Sequence, residues 1–142
     1  NVVPDSFKTD LLKGTFNFDS SGGSTFKLAL YTDISGLTTA TTAFTATNEV
    51  STSGTNYTSG GNTLTNNGVA VSSNIAFVDF ADLTFSSVTL SAVGALIYKS
   101  SSGNEAVLVL DFGGTKTATN GDFVVQFPTA NSSSAIIRLG DA

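Results

Sequence analysis

Three aspartates have the side-chain type and spacing that could support chemistry. Asp79 and Asp82 share the stretch FVDFAD, and Asp111 lies on another predicted strand. Ca²⁺ prefers several oxygen ligands, and two carboxylates across a cleft hydrolyse glycosides. A calcium loop would alternate Asp or Asn with Gly more densely, and no aromatic-rich platform accompanies the chain's two glutamates. Asp79, Asp82 and Asp111 therefore remain calcium candidates only, beside the alternative that they mark strand ends.

The composition removes most other catalytic chemistry. The chain contains no histidine, cysteine, methionine or tryptophan, which excludes Ser–His and Cys–His nucleophiles, thiolate metal sites and disulfides. The stretch GGTK at residues 113–116 superficially resembles a phosphate loop. That loop requires G-x-x-x-x-G-K-[ST] between a strand and a helix, so we predict a turn instead. We expect no catalytic residue, no cofactor and no enzymatic activity.

The charge balance limits the partners. The formal net charge is −5, and only six Lys and Arg residues are scattered along the chain. A nucleic-acid partner requires a basic surface, so none is expected. No apolar run approaches the roughly 20 residues of a membrane span, and the first residues lack the pattern of a signal peptide. Because the chain begins at Asn1 instead of Met, we expect that leading residues are missing.

An N-terminal arm over residues 1–14 is predicted to contain one short helix. Asp5 or Ser6 would cap it, and Gly14 would end it. Apolar side chains recur at helical spacing, at Phe7, Leu11 and Leu12. Two helical turns are too short to be stable alone, so the arm is expected to pack on the body of the protein.

From residue 15 onward the pattern changes to the alternation that is typical of β-strands. The predicted strands are residues 15–19, 26–32, 63–72, 75–80, 83–85, 88–99, 106–112, 123–127 and 135–139. Turn residues separate them, including a predicted turn over residues 113–121 that ends in Asn120-Gly121. Most of the eleven phenylalanines lie in these strands, where core packing explains them.

A polar excursion over about residues 33–67 interrupts the strands. It is dense in Thr, Ser, Asn and Gly, and one short helix is predicted near residues 39–46. A segment this long without regular structure is usually functional or a partner contact. The alternative is that its scattered apolar residues attach it to the body. Phe44 and Tyr57 here, with Phe7 and Leu11 of the arm, are therefore the candidate interaction residues.

These elements predict a mainly β fold in one domain. About seven to nine short strands without βαβ alternation imply an antiparallel sandwich, jelly roll or barrel, preceded by the short N-terminal helix. The length suits a single core, so residues 15–142 are expected to form one β domain behind the arm.

Eight segments resemble a family of small proteins encoded among the structural genes of tailed bacteriophages and prophages. In chain order they are FKLALYT (26–32), NEV (48–50), YTSGGNTL (57–64), VDFAD (78–82), GALIY (94–98), VLDFG (109–113), GDFVVQFP (121–128) and AIIR (135–138). They span most of the chain. One departure is Phe85, where the family is expected to carry Trp.

The resemblance implies a structural part of the virion. A capsid decoration or cement protein on the outer head surface is favoured, because such proteins are often small, β-rich, acidic, free of cysteine and trimeric. The implied partners are the major capsid protein or other virion proteins and further copies of the chain, after synthesis in the host cytoplasm. A tail, neck or fibre-associated component remains the alternative, and it includes a receptor-binding module acting through residues 38–64.

Overall fold

The computed structural model describes residues 1–140, which form one helix and seven strands. The elements in chain order are α1 (Asp5–Leu12), β1 (Phe26–Tyr31), β2 (Asn62–Thr63), β3 (Asn66–Ser72), β4 (Ile75–Phe80), β5 (Leu83–Lys99), β6 (Ala106–Val125) and β7 (Ile137–Leu139). The predicted domain over residues 15–142 ends with two residues, 141 and 142, that lie outside the described part of the chain.

Two antiparallel sheets make up the fold. One has four strands in the order β2-β1-β5-β6, and the other has three in the order β3-β4-β7. The predicted mainly β, antiparallel fold with a short N-terminal helix is therefore confirmed. The barrel alternative is wrong, because each sheet ends in edge strands instead of closing on itself.

Helix α1 begins directly after Pro4, and no side chain caps its N-terminus. The prediction that Asp5 or Ser6 caps it is wrong, since the Ser6 hydroxyl donates instead to the Thr41 carbonyl oxygen at 3.2 Å. This contact attaches the helix to the excursion. Gly14 follows the end of the helix, as predicted, with a φ of 81° that glycine adopts at little cost.

Residues 15–19 were predicted as a strand but belong to no sheet. Their inward side chains are nevertheless placed as the alternation indicated, and the Phe18 ring stacks on Phe26 at 4.7 Å. The backbone closes on itself instead, with the Ser24 N–H donating to the Asn17 carbonyl oxygen at 2.7 Å. The alternation of side chains therefore predicted which face of the segment is buried, although the segment has no neighbouring strand with which to pair.

The two longest strands each unite two predicted ones. Residues 83–85 and 88–99 lie in β5. Residues 106–112 and the first three residues of the predicted strand 123–127 lie in β6, which ends at Val125. The prediction of a turn over residues 113–121 is therefore wrong. Elsewhere the predicted strand over 63–72 is divided between β2 and β3.

A bulge explains why the glycines of β6 do not reverse the chain. Ala92 pairs with Lys116 and Gly94 pairs with Asp111, so four residues of β6 lie opposite the single residue between them on β5. Positive φ angles at Gly113 (73°) and at the next glycine accommodate this insertion. Glycine serves turns and bulges alike, so the local pattern could not distinguish them.

The helix predicted near residues 39–46 is absent. Ala43 instead forms an isolated antiparallel bridge with Glu105, and the Phe44 N–H donates to the Asn104 carbonyl oxygen at 2.9 Å. The segment is rich in threonine, whose β-branched side chain lowers helix propensity. The loop between β5 and β6 offers its backbone partners, and these contacts replace the helical hydrogen bonds.

Two apolar clusters lie on opposite faces of β1. The larger one fills the space between the sheets, where the rings of Phe26 and Phe80 meet at 5.8 Å. The smaller one covers the outer face of the four-stranded sheet, and its buried members are Ala29, Tyr31, Leu37, Leu96, Tyr98, Ala106 and Val109. Strand β1 is therefore buried on both faces, which requires a further layer outside the sheet.

Candidate interaction surface

The carboxylate of Asp79 is buried in β4. It is 1% exposed, and its Oδ1 accepts the N–H of Phe80 at 2.9 Å. Its Oδ2 has no hydrogen-bond partner in the described part of the chain. Burial raises the pKa of Asp79, against the opposing effect of the backbone N–H groups of Phe80 and Ile136. The group is a candidate source of pH-dependent stability.

Asp82 and Asp111 each accept a hydrogen bond from a backbone N–H, and only the contact of Asp111 is local in the chain. Asp82 Oδ1 accepts the N–H of Phe127 at 2.8 Å, and Asp111 Oδ1 accepts the N–H of Gly113 at the bulge at 2.8 Å. Asp111 belongs to the four-stranded sheet, whereas Asp79 belongs to the other. Within residues 1–140 no group of three acidic side chains is placed to hold a metal ion. The three calcium candidates are not brought together.

The two candidate residues of the arm differ in exposure. Phe7 is only 4% exposed and packs against Phe16, with ring centroids 5.0 Å apart. It therefore attaches α1 to the core and is not an exposed anchor. Leu11 is half-buried at the rim of the core and remains partly accessible.

The two candidates in the excursion also pack internally. Phe44 stacks on Tyr98 with centroids 4.9 Å apart. Tyr57 is 3% exposed, and its ring lies 5.8 Å from that of Phe85. Of the two interpretations of these aromatics, the structure supports the one in which they attach the excursion to the body.

A hydrogen-bond cluster around Glu49 completes this attachment. The Tyr57 hydroxyl donates to Glu49 Oε1 at 2.8 Å and accepts the Leu30 N–H at 3.0 Å, while the Gly60 N–H donates to Oε1 at 2.6 Å. The Tyr98 hydroxyl donates to the Gly60 carbonyl oxygen at 2.7 Å. Burial is the largest cause of a raised pKa at Tyr57. Sequence reasoning missed this cluster, because only the fold brings the residues together.

The excursion is the layer that covers the outer face of the four-stranded sheet. Leu37 belongs to the outer cluster and is 6% exposed. The Val50 N–H donates to the Leu30 carbonyl oxygen at 2.9 Å, and the Asp5 N–H of the arm donates to the Thr39 carbonyl oxygen at 2.9 Å. The excursion is irregular in hydrogen bonding but is built into the core.

An apolar groove lies between α1 and β7, and it is the first part of the candidate surface. Its volume is about 400 Å³. Its apolar lining residues are Val3, Phe7, Leu11, Leu12, Val107, Leu108, Ile136, Ile137 and Leu139. Leu12 was predicted on the packed face of the helix but is 85% exposed, and Leu139 is 60% exposed. Lys8, which forms an ion pair with Asp5 at 2.9 Å, and Arg138 also line the groove.

The hairpin of β3 and β4 provides the second part, which we call the arm hairpin (residues 66–80). Val69 and Val71 of β3 are 56% and 72% exposed, and the four residues 69–72 are exposed on both faces of the strand. Among the strands of residues 1–140, β3 pairs only with β4. β7 lies on the other side of β4. The β3 strand of the arm hairpin and the apolar groove beside β7 therefore lie at opposite edges of one small sheet.

A second hollow, of about 530 Å³, lies along the C-terminal half of β6. It contains Phe112 and Phe123 beside Lys116, Asp122 and Gln126. Its lining mixes opposite charges with apolar groups, and the two phenylalanine rings pack on each other at 6.0 Å.

Comparison with known proteins gives no relative for this chain. No family model, curated protein or solved structure matches it. Within the described residues, no helix combines the length and apolar character that crossing a membrane requires.

Proposed function

We propose that the protein is a structural component of a bacteriophage particle, and that it decorates the outer surface of the capsid as a cement protein. Its partners are the major capsid protein or other virion proteins, together with further copies of itself. The proposal rests on the ordered resemblance of eight segments and on the exposed apolar surface at the small sheet. It assigns the protein no catalytic activity.

The observation that carries the proposal is the distribution of exposed apolar side chains. Five of the six large apolar residues that are well exposed lie at the apolar groove or the arm hairpin, namely Val3, Leu12, Val69, Val71 and Leu139. Clusters of exposed apolar side chains mark contacts with other molecules. The rest of the surface is rich in uncharged Ser, Thr and Asn, as suits wide contacts on a protein lattice. Assembly is the function that this arrangement supports.

The experiment is to locate and count the protein in purified particles of the phage or prophage that encodes it. A cement protein is expected in a copy number similar to that of the major capsid protein, measured by quantitative mass spectrometry. Density on the outer head surface in an electron-microscopy reconstruction would support the same conclusion. Absence from the particles would contradict the proposal altogether.

A binding assay tests the surface itself. Empty capsids that lack the protein are mixed with the purified wild type and with Leu12→Lys and Leu139→Lys variants. We expect both variants to sediment less with capsids, because a charge placed in the groove must be desolvated on docking. Val124→Lys, at a 47% exposed valine of β6, is the matched control and is expected to bind normally. Equal binding by all four proteins would contradict a role for the groove.

The alternative is a tail, neck or fibre-associated component, which would be present in only a few copies per particle. Its receptor-binding form requires the excursion to contact a host ligand. Burial of Tyr57 and packing of Phe44 on Tyr98 leave these rings unsuited to that contact, which favours the decoration role. A low copy number with density at the tail would replace the cement proposal by this one.

A further inference from the structure

The sheet edges differ in how well they are protected from pairing with another chain. β2 has two residues, β7 has three and includes Arg138, and β6 carries Lys116, Asp122 and the bulge. Short length, charge and bulges are the usual means by which proteins prevent edge-to-edge association. β3 is longer, with seven residues. Its residues 69–72 carry no charge, and they lie beyond the register shift of the strand, which precedes Val69. This edge is open to another strand.

The arm hairpin is also unusual in its charge. No charged residue occurs between Glu49 and Asp79 in the sequence, and Asp79 itself is buried. Two copies of a chain with net charge −5 repel each other where their carboxylates approach. Two copies that meet at their arm hairpins bring no exposed charged side chains together. The exposed edge therefore suits a second copy of this chain.

The turn of the arm hairpin shows which backbone groups of β3 are free. Ser73 and Asn74 have φ angles of 52° and 62°, as in a two-residue type I′ turn, and Ser72 pairs with Ile75 across it. That closing pair exchanges hydrogen bonds, and hydrogen-bonded pairs alternate along an antiparallel ladder. The N–H and C=O groups of Val69 and Val71 therefore point away from β4.

The local sequence is complementary to itself in an antiparallel arrangement. It reads Gly68-Val69-Ala70-Val71-Ser72. Alanine is at the centre, a valine lies on each side of it, and the small residues glycine and serine lie at the two ends. With Ala70 opposite its counterpart, each Val69 faces the Val71 of the other copy. The outward backbone groups of these valines then form four intermolecular hydrogen bonds. All four valines share one face, since Val69 and Val71 are two residues apart in a strand.

We infer that two copies of the protein associate through β3, with a two-fold axis at Ala70, and form one six-stranded sheet. Such an interface uses the same patch on both copies, and strand addition at a free edge is an established mode of recognition. The contact joins two copies, where the resemblance implied a trimer. The inference is independent of the proposed function, because it follows from the edge alone.

Mass measurement by light scattering after size exclusion gives the first test. The wild type is expected at twice the 14.5 kDa chain mass, and Val71→Lys at the monomer mass. Val71 is 72% exposed, so the variant is expected to keep its fold, checked by circular dichroism. Val124→Lys is the matched control and is expected to remain dimeric. A monomeric or trimeric wild type, or a dimer that Val71→Lys does not change, would overturn the inference.

Cysteine cross-linking tests the register. The chain has no cysteine, so Ala70→Cys introduces a single thiol that meets its counterpart at the two-fold axis, within the Cα separation that a disulfide spans. We expect a covalent dimer on a non-reducing gel after mild oxidation. Ser72→Cys, two residues along the same exposed strand, is the control, since its counterparts lie about 13 Å apart at four residue spacings. Equal cross-linking of both variants, or none with Ala70→Cys, would show that this contact does not form.

Discussion

The Tyr57 hydroxyl links two segments of the excursion to the four-stranded sheet. It donates to Glu49 of the excursion at 2.8 Å and accepts the backbone N–H of Leu30 in β1 at 3.0 Å. The Leu30 side chain is fully buried, so its N–H has no access to bulk water as a replacement partner. A buried donor without a partner costs more than the average hydrogen bond contributes.

Replacing Tyr57 by Phe is expected to lower the free energy of unfolding by about 1–3 kcal/mol, because the Leu30 N–H loses its partner. Urea denaturation followed by circular dichroism measures this. Ser59→Ala is the matched control, since it removes an exposed hydrogen bond to Glu49 Oε2 and should change stability by no more than about 0.5 kcal/mol. A Tyr57→Phe effect as small as the control would show that the hydroxyl is dispensable.

Asp79 is expected to make stability depend on pH. Burial raises its pKa in the folded state above the ordinary value of 3.8, which applies to the unfolded chain. At a pH between the unfolded and the folded pKa, the folded state therefore holds more protons than the unfolded chain. The contribution of Asp79 to stability is therefore largest at low pH and is lost as the pH rises through the folded pKa. Asp79→Asn cannot ionise and should not show this loss.

Thermal melting of both proteins across the acidic and neutral range measures the effect. The melting temperature of Asp79→Asn relative to the wild type is expected to increase with pH through that window and then level off. Asp19→Asn removes one exposed negative charge that does not contribute to the Asp79 shift and is the control. A difference between Asp79→Asn and the wild type that is the same at every pH would contradict the assigned cause.

At the scale of elements, the excursion acts as a third layer outside the four-stranded sheet. The sequence is compatible with two interpretations of the excursion, because polar composition does not show whether isolated apolar residues point inward. In the structure Leu37 and Tyr31 share the outer cluster, and Val50 and Leu64 belong to the main core. The layer therefore stabilises β1 by covering its second face.

A matched pair of leucine substitutions tests this layer. Leu37→Ala is expected to lower the free energy of unfolding by about 2–5 kcal/mol, because it leaves a cavity in the outer cluster. Leu12→Ala in α1 removes the same atoms from a side chain that is 85% exposed, and a change within about 0.5 kcal/mol is expected. Chemical denaturation measures both. Equal effects would mean that the excursion covers the sheet only loosely.

The elements also show where local patterns were sufficient. Residues 75–80 were predicted as a strand and are β4, whose burial increases along the strand until Val78, Asp79 and Phe80 are all buried. Residues 113–121 were predicted as a turn and lie within β6, because a positive φ is compatible with both a bulge and a reversal. The difference depends on whether β5 continues alongside, which is a non-local property.

At the scale of the whole molecule, the small sheet combines the surfaces proposed for assembly. The apolar groove adjoins β7, and the open edge belongs to β3, with β4 between them. A two-fold contact at β3 would leave the groove of each copy free. The capsid-binding assay therefore tests the groove, and the mass measurement tests the edge of β3. Val71→Lys is expected to prevent dimerisation through β3 without altering the groove.

The amino-acid sequence was enough to predict the mainly β class, the helix ended by Gly14 and most of the buried phenylalanines, because these follow from local periodicity and backbone preference. It was also enough to exclude histidine and cysteine chemistry. The strand pairing, the Glu49 cluster and the exposed edge of β3 depend on tertiary structure. The pairing and the cluster join residues that are far apart in the chain. Whether a strand edge is exposed depends on whether the fold places another strand beside it.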